Sequence, residues 1–232
     1  MQVNIKNINY SGVLDSACFL NDNNQIYILT SKSIRNKREK LEQIKIYDLK
    51  GNKIKEINNS NYKTFFIDNY YDRKLAKNFI ITGNLGYSMS FDFKEDKIYH
   101  KYYDDDNEGH FSVVVESKEE IVKLIESSFD GYIRIWNFHS GLFLNKINAN
   151  GGKIYGIFLL DNKYLLVGCQ DKSIKIIDLE KFSLIKTLNN HEREVICIKA
   201  INCIDSNLKI LLSQGRGKDQ IKCWKIESTE KS

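Results

Sequence analysis

The residues of this chain that could do chemistry crowd into one short stretch. Ser127, Ser128, Asp130, Arg134 and Trp136 fall within ten residues, and His110 precedes them. Serine, histidine and aspartate are the types that make a nucleophile, its base and the group that orients the base. A hydrolase of the strand-to-helix kind needs a GxSxG elbow, and none is present. Neither GxxxxGK[ST] nor GxGxxG stands between a strand and a helix, so phosphate cradling of those kinds has no support. The 4 histidines (100, 110, 139, 191) and 5 cysteines (18, 169, 197, 203, 223) show no zinc spacing and no CxxC pair. The run from Asp104 to Glu108 begins like a calcium loop, but Val115 stands where that loop needs its glutamate, so it reads as a solvated acidic turn. The expectation is a non-enzymatic protein with no metal and no cofactor.

Two other segments carry binding-type residues. Lys32, Arg35, Lys37, Arg38 and Lys40 form a basic loop that is either a solvated connection or a site for an anionic partner. Tyr70, Tyr71 and Arg73 are types that anchor protein interfaces, and they read as lying in a long loop. Net charge is +5 with pI ≈ 8.7, below the value of about 9 that suggests a nucleic-acid binder. Hydrophobic residues make up 42% of the chain, enough for a packed core, and proline is absent, so turns fall to Gly, Asn, Asp and Ser. With no long apolar run and no apolar leader after Met1, the expected location is cytoplasmic or nuclear, with the cysteines as buried free thiols.

The elements that must position these residues are hairpins. Asp130-Gly131 is a strong tight-turn signal, and beyond it Tyr132, Arg134 and Trp136 alternate with Ile133 and Ile135 as on a two-faced strand. The hairpin recurs. Shifted by 41 residues, 123–150 lies on 164–191 without a gap, with Asp130 on Asp171 and Trp136 on Ile177. Tyr47-Asp48, Phe91-Asp92 and Trp224-Lys225 are further equivalents of Trp136-Asn137. Anchors at 47, 91, 136, 177 and 224 give a period of 41 to 47 residues, the spacing of four-stranded propeller blades. The predicted fold is therefore all-β, a single β-propeller domain over 1–232 with about five blades. In the second unit the strands are expected at Lys63–Ile67, Asn78–Thr82, Tyr87–Phe91 and Lys97–Tyr102. The fifth unit lacks an outermost strand, and residues 3–8 could supply it and close the ring; the alternative is an open five-blade arc.

With this period, the turns of the form Asp-x-x-Ile-x-x-Trp-[Asn/Asp] and a histidine in the inter-blade loop, the chain resembles the WD40-repeat β-propeller family. The resemblance implies a structural tetrad of His, Ser or Thr, Asp and Trp in each well-kept blade. In the third unit these would be His110, Ser127 or Ser128, Asp130 and Trp136, and in the fifth His191, Ser213, Asp219 and Trp224. The Gly215-Arg216-Gly217 insertion shifts Asp219 relative to its tryptophan. The fourth unit keeps only Asp171. A buried indole N–H needs an acceptor, and a histidine can join two loops through it, so His110 and His191 read as framework. The resemblance also implies the function: a scaffold that presents loop faces to protein partners. The alternative is a binder of RNA, acidic lipid or acidic protein through 32–40 together with Arg216 and Lys218, which ring closure would bring alongside.

Overall fold

The computed structural model describes residues 16–32, 42–59, 64–104, 108–116, 121–202, 208–217 and 221–227. These residues form five antiparallel sheets of propeller-blade type with no helix, in two compact units, 1–107 and 108–232. Residues 3–8, on which ring closure depends, lie outside the described residues.

In the first unit, blade one is β1 (Ser16–Asp22), β2 (Gln25–Lys32), β3 (Glu42–Asp48) and β4 (Lys53–Asn59), paired in chain order. Blade two is β5 (Phe66–Asp72), β6 (Lys77–Gly83), β7 (Tyr87–Asp92) and β8 (Lys97–Tyr103). Leu20, Leu29, Ile44 and Ile46 of blade one pack with Ile67, Ile80, Met89 and Phe91 of blade two in one core.

In the second unit, blade three is β9 (His110–Glu116), β10 (Lys123–Ser128), β11 (Tyr132–Asn137) and β12 (Phe143–Asn148). Blade four is β13 (Ile154–Leu160), β14 (Tyr164–Cys169), β15 (Ser173–Asp178) and β16 (Ser183–Asn189). Blade five has β17 (Val195–Asn202), β18 (Leu208–Gly215) and β19 (Ile221–Glu227), three strands among the described residues. Blade four is sandwiched, and its alternation shows it. Leu165, Val167 and Ile177 meet Ile125, Ile133 and Ile135 of blade three, whereas Leu166 and Ile174 meet Val195, Ile198 and Leu211 of blade five. The blades touch closely: a Cβ on Gly168 would stand 2.7 Å from the Val195 carbonyl oxygen.

In four of the five blades the residue after the anchor makes the turn out of the third strand. Asp48, Asp92, Asn137 and Asp178 each use Oδ1 to accept backbone N–H groups just downstream, such as His139 and Ser140 on Asn137 and Glu180 and Lys181 on Asp178. Just before these four anchors the pairing to the fourth strand slips, at Ile46/Tyr47, Ser90/Phe91, Ile135/Trp136 and Ile176/Ile177. A bulge at the same place in four blades is a designed bend rather than noise. Short polar side chains at a fixed spacing thus explain the period read from the sequence.

One expected strand is misplaced. The inner strand of blade two runs Phe66–Asp72 and not 63–67. Asp72 Oδ1 accepts the amides of Lys74 and Leu75, and Ala76 takes φ 51°, closing a four-residue turn. Tyr70 and Tyr71 are therefore strand residues, and only Arg73 lies in the loop.

Candidate functional site

In blade three the polar residues form two buried arrangements on one face of the sheet. Trp136 pairs opposite Leu124, and Arg134 opposite Glu126, so Glu126 and Trp136 share the face turned away from blade four. Trp136 Nε1 donates to Glu126 Oε1 at 2.9 Å, and His110 Nδ1 lies 2.8 Å from Glu126 Oε2. All three side chains are buried, and a carboxylate that meets a ring nitrogen at each of its oxygens accepts from both. The acceptor for the indole is thus Glu126 and not Ser127 or Ser128. Ser127 sits opposite Ile133, in the interface with blade four, because neighbouring strand residues point to opposite faces. Ser128 Oγ receives the Asp130 amide at 3.4 Å.

Asp130 is not in that network. Its Oδ2 meets Arg134 Nη2 at 2.5 Å, its Oδ1 meets Nη1 at 3.2 Å, and Oδ1 also accepts the Tyr132 amide at 3.0 Å. Arg134 is fully buried, so this fork holds both its charge and the turn. Burial alone would raise the Asp130 carboxyl, but the Arg134 bonds, the Tyr132 amide and the guanidinium charge outweigh it and hold it below the usual carboxylate range. Blade four repeats the pattern: Lys175 lies 3.0 Å from Asp171, whose carboxyl is likewise held low by Ser173 and Lys175 against the effect of burial.

In blade five Trp224 pairs opposite Leu211, which makes Ser213 the equivalent of Glu126. Trp224 Nε1 donates to Ser213 Oγ at 2.7 Å, and His191 Nε2 lies 2.8 Å from the same oxygen. With the indole donating, the hydroxyl proton is available for His191 Nε2. Blade two has a third version, in which Thr64 Oγ1 donates to Asn84 Oδ1 at 3.1 Å and Asn84 Nδ2 donates to Thr82 Oγ1 at 3.2 Å. The same locus is filled by a carboxylate, a hydroxyl or an amide chain, each satisfying whatever its own blade offers. Each of these groups is hydrogen-bonded to a neighbour within the fold.

The surface segments divide differently. Arg35, Lys37, Arg38 and Lys40 lie outside the described residues, as do Lys218 and Asp219; of Lys32 only the strand-end backbone is described. Tyr71 is exposed at 50% and Tyr70 is half-buried on β5. Two of the cysteines expected to be buried are not. Cys197 and Cys223 face away from blade four and are exposed, whereas Cys169 is buried and Cys18 half-buried; all four are free. Among the described residues no three His, Cys, Asp or Glu side chains form a group that could hold a metal, and no helix is long and apolar enough to cross a membrane.

One cluster escaped the sequence reading. At the end of the second unit where the first strand of each blade begins and the second ends, Phe111, Phe129 and Tyr155 come together. The Phe111 and Phe129 rings lie 3.8 Å apart, and Tyr155 stands edge-on to Phe129 at 5.4 Å. Lys153 Nζ sits over Phe129 at 4.6 Å, and the Arg216 guanidinium over Tyr155 at 5.0 Å. The available signal was positional: Phe111 follows His110 directly and Phe129 precedes Asp130 directly.

Two curated proteins match short stretches of this chain. Over 78 residues, 34% of this chain, it is 28% identical to myosin heavy chain kinase C of Dictyostelium discoideum. Over 72 residues, 31% of the chain, it is 22% identical to the U3 small nucleolar RNA-associated protein 21 homolog of Schizosaccharomyces pombe. The matched segments span 10% and 8% of those proteins. No family model matches the sequence.

Proposed function

We propose that the chain is a non-enzymatic interaction scaffold, a single WD40-like propeller domain that presents its loop faces to partner proteins. The observation that carries this reading is the use made of the chemically capable residues. His110, Glu126 and Trp136, and His191, Ser213 and Trp224, are bonded to one another inside the blades. A fold whose polar residues hold its own hairpins leaves its loops to vary and to bind. Both relatives are much longer proteins that share only a short stretch with this chain, so the kinase name of the first is not transferred. Capture of partners from native lysate tests the reading. The wild-type chain retains specific proteins; recovery of none above blank resin overturns it.

The second reading is an anionic partner, RNA or an acidic lipid or protein, held by Lys32, Arg35, Lys37, Arg38 and Lys40 with Arg216 and Lys218. The word RNA in the second relative's name and the exposed Arg216 are what favour it. RNA bound this way is released steeply as salt rises. Changing Arg35, Lys37 and Arg38 to Glu abolishes it, and an unchanged partner list in that variant removes the basic loop from the account.

A further inference from the structure

We propose that Phe111, Phe129 and Tyr155 with Lys153 and Arg216 form a docking site for an acidic peptide segment of a partner protein, an inference that rests on the scaffold reading. The five residues come from three blades and from one end of them. Phe111 and Tyr155 open the innermost strands β9 and β13, Phe129 sits in the turn after β10, Lys153 precedes β13 and Arg216 follows β18. The rings are only partly covered, and both cations are exposed.

Charge decides the class of ligand. Elsewhere in this unit Arg134, Lys163, Lys175 and Lys209 each meet a carboxylate. Lys153 and Arg216 have no carboxylate partner among the described residues; each lies over an aromatic face instead. A cation held over a ring keeps most of its charge available while its position is narrowed. The backbone holds these positions too: the Phe129 amide donates to Gly109 O at 3.0 Å, Gln170 N to Lys153 O at 2.8 Å, and Arg216 N to Glu194 O at 2.9 Å. The site is therefore built before any ligand arrives, which lowers the ordering cost of binding.

Ring geometry separates a peptide from a nucleic acid. Single-stranded nucleic acids bind by stacking bases on free aromatic faces. Here Phe129 has Phe111 and Lys153 against it, and Tyr155 carries Arg216. Ring faces of Phe129 and Tyr155 are thus already taken, and two cations stand beside them. Carboxylates interspersed with apolar side chains suit that surface; flat bases do not.

The test is fluorescence anisotropy with a fluorescein-labelled peptide of alternating Glu and Leu, its Gln-Leu analogue, and labelled oligouridylate. The acidic peptide binds the full chain, the amide analogue binds about tenfold more weakly or less, and salt weakens the difference. Lys153→Glu combined with Arg216→Glu lowers peptide affinity by about tenfold or more while the melting temperature stays put, since both side chains are exposed. No binding of the acidic peptide, equal binding of the amide peptide, or an undiminished affinity in the double variant overturns the proposal. So does oligouridylate binding that the double variant alone abolishes, which makes the cluster a nucleic-acid site. If lysate partners persist on the double variant and the peptide does not bind, the docking site fails and the scaffold reading stands.

Discussion

Glu126 joins two buried rings in the third blade. It is fully buried, and its two oxygens receive the Trp136 indole and the His110 imidazole. Glu126→Ala leaves both ring nitrogens without that acceptor in a site that water does not reach. Each buried donor that loses its acceptor costs about 1–3 kcal/mol, so the two together cost about 2–6 kcal/mol. The expected loss is a large part of the roughly 5–15 kcal/mol that holds a domain folded. Glu126→Gln discriminates the cause. Its amide oxygen still accepts from Trp136, and its N–H can meet His110 Nδ1 if the ring changes tautomer, so only the charge is lost and the cost should stay near 1 kcal/mol. Urea unfolding followed by far-ultraviolet circular dichroism, with tryptophan emission as a second probe, measures both variants. An alanine variant within 1 kcal/mol of wild type would refute the buried-network argument. A glutamine variant as damaged as alanine would show that charge pairing, and not hydrogen bonding, carries the locus.

Acid should unfold the second unit through its turn carboxylates. Asp130 and Asp171 are held below their ordinary range, so their contribution is complete above about pH 4 and is lost as pH falls through their folded values. Asp130→Asn with Asp171→Asn lowers stability at neutral pH and flattens its decline in acid; an unchanged acid slope contradicts this. Burial pushes the Cys18 and Cys169 thiols up to about 12, so alkylation of the native protein near neutral pH, mapped by mass spectrometry, should mark Cys197 and Cys223 first. Equal labelling at all four sites counts against that burial. Gly168→Ala drives a methyl to 2.7 Å from the Val195 carbonyl and should cost about 1–3 kcal/mol. Gly217→Ala meets no atom within 4 Å and is strained only by its φ of +71°, so it should cost about 1 kcal/mol. Equal melting temperatures for the two would deny the close contact of blades four and five.

Much of the fold is local and was therefore readable. Alternation sets two faces on each strand, and Asp or Asn after four of the five anchors makes the turn, so Tyr47-Asp48, Phe91-Asp92, Trp136-Asn137 and Ile177-Asp178 carry the period openly. Blade two is less legible because Tyr70 and Tyr71 look like loop residues until the Asp72 turn is placed. The network was legible by residue type but not by position. A histidine and a tryptophan in need of an acceptor could be named from the sequence; that Glu126 answers in one blade and Ser213 in another follows only from register, since a slip of one residue sends Ser127 to the opposite face. The gathering of Phe111, Phe129 and Tyr155 with two cations is likewise a contact between residues on different turns and blades, whereas Asp130 and Arg134 meet within one hairpin, four residues apart. Hydrogen bonds within a hairpin are written in neighbouring residues. Which side chain faces which across a sheet, and which blades share an edge, is decided only when the chain has packed.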